Sequence, residues 1–227
     1  MDGQTARDPE LFSERHISID IGPAKVHGDL AIPAGANGVI LFAHGSGSSR
    51  LSSRNRYVAE VLQHGGFATL LLDLLTEQEE QIDQRTRHLR FDIPLLAERL
   101  TRAVVWLRLE PDTRSLPIGL FGASTGAAAA LITAAERADV VWAVVSRGGR
   151  PDLAGNALPL VQAPTLLIVG SRDEPVIELN EQAKAQMQAH TELSIVPGAT
   201  HLFEEPGALE KVANQALSWF THYLNRD

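Results

Sequence analysis

Ile118-Gly119-Leu120-Phe121-Gly122-Ala123-Ser124-Thr125-Gly126 begins as an apolar run and ends in a serine flanked by small residues. The run Ile118–Phe121 reads as a buried strand, and the Ala-rich stretch Ser124–Arg137 reads as a helix able to pack closely on a sheet. Between them, Gly122–Gly126 fits G-x-S-x-G. This pattern belongs to a sharp strand-to-helix turn that strains its central residue and admits only small neighbours. The turn lifts the Ser124 hydroxyl above the sheet edge and aims the partial positive charge of a helix N-terminus at it. Ser124 is therefore the expected nucleophile.

The flanking sequence repeats the same alternation of strand and helix. Val39–Ala43, Ala68–Leu72, Val140–Val145 and Thr165–Val169 are nearly continuous apolar runs, as strands covered on both faces must be. His16–Ile21 and Val26–Ile32 alternate apolar and polar and predict an antiparallel hairpin at one sheet edge. Leu193–Val196 predicts a last short strand. Asn55–His64, Pro94–Leu109, Glu178–His190 and Ala208–Leu224 show helical spacing. The fold class is thus α/β, with a mostly parallel eight-stranded sheet and helices on both faces. A polar segment over residues 1–15 is expected to precede one domain over 16–227. The charged stretch Leu74–Arg90 reads either as a solvated surface excursion or as a flap over the site.

A serine hydroxyl needs a base within hydrogen-bonding reach. Of eight histidines, His201 alone follows a strand at the correct end of the sheet and in the correct chain order. Asp173, in Gly170-Ser171-Arg172-Asp173-Glu174-Pro175, follows the preceding strand and is the expected acid, with the adjoining Glu174 as its alternative. His44-Gly45-Ser46-Gly47-Ser48 follows the strand Val39–Ala43, where this architecture places an oxyanion donor. The donors expected are the backbone N–H groups of Thr125 and Ser46, with Gly47 in reserve for Ser46. His44 reads as a brace for that loop.

The composition narrows the function classes. The 227 residues include no cysteine, which removes disulfides, thiolate metal sites and a cysteine nucleophile. A net charge of −8 disfavours a nucleic-acid partner. No apolar run is long enough to span a membrane, and the polar N-terminus does not read as a secretory signal, so the expected setting is cytoplasmic.

HGSGSS, GASTG, GSRDEPV and PGATHLFEEPG together resemble the α/β-hydrolase superfamily over residues 16 to 225, in its dienelactone-hydrolase-like branch. Only about 20 residues separate Val145 from Thr165, consistent with the absence of a large cap domain. The resemblance implies a cofactor-free hydrolase of an ester, lactone or related acyl bond, with Ser124, Asp173 and His201 as its triad. Dienelactone hydrolases use a cysteine nucleophile, so the serine here separates the chain from that substrate. The expected ligand is a small acyl compound. Arg50 and Arg147, beyond two strand ends, are candidates to clamp a carboxylate or phosphate on it; ordinary surface ion pairs are the alternative. An acyltransferase or perhydrolase on the same triad, or a ligand-binding protein of the same fold, are the competing functions.

Overall fold

A computed structural model describes residues 12–225, so most of the polar segment expected over 1–15 lies outside the described residues. Eight strands form one sheet: β1 (Phe12–Asp20), β2 (Lys25–Pro33), β3 (Val39–Ala43), β4 (Ala68–Leu72), β5 (Ile118–Ala123), β6 (Val141–Arg147), β7 (Thr165–Gly170) and β8 (Thr191–Val196). Their spatial order is β1-β2-β4-β3-β5-β6-β7-β8. β1 and β2 pair antiparallel, and so do β2 and β4; every other pair is parallel. The expected α/β class and eight-stranded sheet are both present.

Among the described residues six α-helices cover it: α1 (Ser53–His64), α2 (Glu77–Thr86), α3 (Ile93–Leu109), α4 (Thr125–Glu136), α5 (Glu174–Lys184) and α6 (Ala208–Leu224). Because strand side chains alternate, the continuous apolar runs feed two cores. Val39, Leu41 and Leu120 pack under α3 and α4. Ile40, Phe42 and Phe121 pack on the other face, beneath α1 and α6. Only a 3₁₀ segment, Pro151–Leu160, and short connections separate β6 from β7, so no cap domain is inserted there.

Three expectations shift. β6 runs on to Arg147, which places that arginine in the strand rather than after it. α5 spans Glu174–Lys184 instead of Glu178–His190, since Pro175 occupies its first turn, where a missing N–H costs nothing. The charged stretch after β4 holds an ordered helix. Thr76 and Glu79 form a reciprocal capping box at its start: Glu79 N donates to Thr76 Oγ1 at 3.1 Å, and Thr76 N donates to Glu79 Oε2 at 2.8 Å.

Candidate active site

The parallel strands β3, β5, β7 and β8 all end on one edge, and the loops leaving them converge there. At the centre, Ser124 has φ 50° and ψ −122°, a region that side-chain-bearing residues rarely enter. The packing around it enforces this bend. A Cβ at Gly122 would lie 2.7 Å from Ala127 N, and one at Gly126 would lie 2.5 Å from His44 O. α4 therefore crosses against β5 and β3 at a distance only glycine and alanine allow. Ser124 N donates to Arg147 O at 3.2 Å, and Arg150 N donates to Ser124 O at 3.0 Å, so the turn after β6 holds the elbow in place.

Two further loops are laced together beside it. Ser171 N donates to Val196 O at 3.0 Å, Arg172 N to Ala199 O at 2.9 Å, and Gly198 N to Ser171 Oγ at 2.8 Å. Asp173 immediately precedes α5, three residues beyond the end of β7, and His201 follows β8. His201 Nδ1 is 2.6 Å from Asp173 Oδ2, a contact that favours the proton on Nδ1 and leaves Nε2 able to accept one. Glu174, the alternative acid, begins the helix itself. Two residues beyond His201, Phe203 is buried in the core on the face of α1 and α6, while Thr200 N donates to Glu205 Oε1 at 3.1 Å. Gly148 connects the two halves: a Cβ there would meet His201 O at 3.0 Å and His201 Cε1 at 3.6 Å. Ser124 and His201 thus flank the same 147–150 turn. The Ser124 hydroxyl makes no hydrogen bond among the described residues. Such contacts often form only once substrate is bound.

On the opposite flank, the loop after β3 closes over the elbow. A Cβ at Gly45 would sit 3.0 Å from Ser124 Cβ. Ser46 follows this closest approach, and Gly47 (φ 68°) turns beneath Arg90, whose Nη1 would be 2.8 Å from an added Cβ. Thr125 begins α4 and is buried. Both nitrogens of the buried His44 are occupied: Nδ1 lies 2.9 Å from Gly45 O, and Nε2 accepts from Leu74 N at 3.0 Å. Burial holds its pKa below the ordinary histidine value. His44 is a brace for the loop.

The two candidate substrate arginines part company. Arg50 binds Asp73 through its backbone N (2.8 Å) and its guanidinium, and lies 3.5 Å from Asp29, so its charge is already committed. Arg147 is 8 % exposed and forms no ion pair or side-chain hydrogen bond among the described residues. Two further arginines come close to this region: Arg90, from the charged stretch after β4, lies above Gly47, and Arg54, from the cluster Arg50, Arg54 and Arg56 after the loop, adds to the positive charge felt by Arg147.

The model of the dienelactone hydrolase family matches residues 26–225. The chain belongs to the dienelactone hydrolase family. A dienelactone hydrolase from Anabaena variabilis ATCC 29413 is 63% identical, with a TM-score of 0.92 over 94% of this chain and 99% of its own. The Pyrococcus furiosus esterase PF2001 is 19% identical, with a TM-score of 0.74 over 94% of this chain and 92% of that one, and shares the fold. A Mycobacterium tuberculosis (strain H37Rv) protein named "Putative phosphoribosyl transferase" is 58% identical over 219 residues, 96% of this chain but 48% of its own length. The chain spans about half the length of the curated relatives it matches. Membership in this family supports hydrolase activity, and no described helix is long and apolar enough to cross a membrane.

Proposed function

We propose that the chain is a serine hydrolase that cleaves an ester, lactone or related acyl bond of a small molecule through Ser124, His201 and Asp173. The observation that carries this reading is the 2.6 Å Asp173–His201 contact beside an elbow whose serine is strained at φ 50°. His201 Nε2 takes the Ser124 proton as Oγ attacks the acyl carbon. Asp173 orients the ring and stabilises its cationic form. The tetrahedral oxyanion is met by the N–H groups of Thr125 and Ser46, with Gly47 the reserve for the latter. Each donor of this type contributes about 10²–10³ in rate. His201 then protonates the leaving group, and the same imidazole activates water against the acyl-enzyme. These residues supply every proton transfer that the two half-reactions need.

The transferase name of the longer mycobacterial relatives is not extended to this chain, whose own residues provide nucleophile, base and acid. The test is a panel of ester, thioester and lactone substrates run in parallel on wild type and Ser124→Ala, together with fluorophosphonate labelling of the folded protein. Serine-dependent turnover and a label on Ser124 are the expected results. Wild-type rates in Ser124→Ala would overturn the assignment.

A further inference from the structure

Gly149 lies in the turn that holds the elbow and is buried, so its carbonyl needs a donor. Asn180, wholly buried in α5, supplies one. Its Nδ2 donates to Gly149 O at 3.0 Å and to Val176 O at 2.7 Å. Its Oδ1 is sealed from solvent without a hydrogen-bond partner among the described residues. Asparagine also weakens a helix interior, because its amide competes for backbone groups. A side chain kept only to fill this place would be apolar, as the other buried residues of α5, Val176 and Ala183, are.

The Asn180–Gly149 bond joins two halves of the site. α5 starts directly after Asp173, and the N–H groups of Val176 and Ile177 both donate to Asp173 O at 3.0 Å, which ties the acid's backbone to the first turn of this helix. The turn at the other end of the bond carries the nucleophile: Ser124 N donates to Arg147 O, and Arg150 N donates to Ser124 O. Gly149 is wedged there, since a Cβ on it would lie 1.9 Å from Ser146 Oγ and 2.6 Å from Ala127 Cβ. A shift of α5 is therefore resisted by β6 and α4 through a single amide.

We infer that Asn180 is a positioning residue for the triad, whose amide sets the spacing between the Asp173–His201 pair and Ser124. The inference rests on the serine hydrolase reading above. Asp173 holds His201 by its own 2.6 Å contact, so loss of the amide leaves that pair together and loosens the step from hydroxyl to imidazole. Acylation and deacylation both pass through His201, so both slow together.

The test measures wild type, Asn180→Leu and Asn180→Ala on 4-nitrophenyl butyrate, with working sites counted by fluorophosphonate titration run to completion. Leucine keeps the volume without the amide. Alanine, smaller and a better helix former, serves if leucine does not fit. Each variant is expected to lower kcat per titrated site by about 10–100-fold, the scale of a misplacement of about 1 Å. KM should stay within about twofold, because binding common to ground and transition states is untouched. A purely structural role would reduce the number of sites or the urea midpoint and leave kcat per site unchanged. That result overturns the positioning role, as does a raised KM at unchanged kcat. Wild type that neither turns over the ester nor takes the label would overturn the hydrolase reading and this inference with it. Wild type active and labelled, with variants equal to it per site, removes only the role of Asn180.

Discussion

Asp173 Oδ2 and His201 Nδ1 are 2.6 Å apart although the two residues stand at the ends of different strands. The contact depends on backbone bonds between the two loops, Arg172 N to Ala199 O and Ser171 N to Val196 O, rather than on either side chain alone. Those backbone bonds hold the two loops at the spacing that the side-chain contact needs.

Asp173→Asn should therefore leave the loops in place but favour the wrong imidazole tautomer. The expected fall in kcat is about 10⁴ with little change in melting temperature. Ser124→Ala and His201→Ala should each lower kcat by about 10⁶, and the double variant by no more. Steady-state kinetics on the substrate found by the panel checks all three. A multiplicative double variant would show that the two side chains do not act as a unit.

The strain at Ser124 gives a second, separable outcome. Glycine enters φ 50°, ψ −122° freely, so Ser124→Gly should gain about 1–3 kcal/mol of stability while losing activity. Urea unfolding of wild type, Ser124→Ala and Ser124→Gly reads this directly. Only the glycine variant relieves the backbone, so a gain shared equally by alanine would place its origin elsewhere.

Two glycines should respond very differently to alanine. Gly126 has the His44 carbonyl 2.5 Å from any added Cβ, and backbone on both sides cannot yield without moving α4 off the sheet. Gly126→Ala should cost about 3 kcal/mol or more and displace the elbow. Gly198 has φ 76° and nothing within 4 Å, so Gly198→Ala should cost only the left-handed backbone penalty, about 1–2 kcal/mol. Denaturant midpoints for the pair measure the difference.

The elbow and the order of acid and histidine could be read directly from residues because each sits where a strand pattern stops. The helix bounds were harder. Asp173-Glu174-Pro175 contains its own start signal, yet apolar spacing drew the helix four residues late. Thr76-x-x-Glu79 is a capping box that the surrounding charge concealed. The two arginines expected to meet substrate show the deeper difficulty. Arg50 and Arg147 each follow the same kind of strand in the sequence, and only the fold reveals that Asp73 and Asp29 neutralise the first while the second is buried with an unpartnered Nη1. Burial and pairing are properties of elements brought together over long separations, which local pattern does not encode.

His44 should make stability sensitive to mild acid. Burial lowers its folded pKa below the value of 6.5 that it has when exposed, so the unfolded chain binds a proton that the folded chain refuses. The sign follows from linkage: stability is highest above about pH 6.5 and declines as the pH falls from there toward the folded pKa. The slope contributed is at most about 1.4 kcal/mol per pH unit. Comparing unfolding free energies of wild type and His44→Gln from pH 7.5 to 5 checks it, and the variant should have the shallower slope in that range.

Arg147 should reveal itself by what its removal does to stability. The residue is almost wholly buried and its Nη1 is sealed without a hydrogen-bond partner, while burial, followed by the charge of Arg54, pushes its pKa down to about 10. Methionine fills a similar volume with no charge to desolvate, and replacing buried charged groups by well-packed apolar ones is often neutral or stabilising by about 1–4 kcal/mol. Arg147→Met is therefore expected to unfold at the same or a higher urea concentration than wild type. Denaturant midpoints of the two proteins check it. A variant clearly less stable than wild type would mean that the arginine stem fills its place better than methionine can.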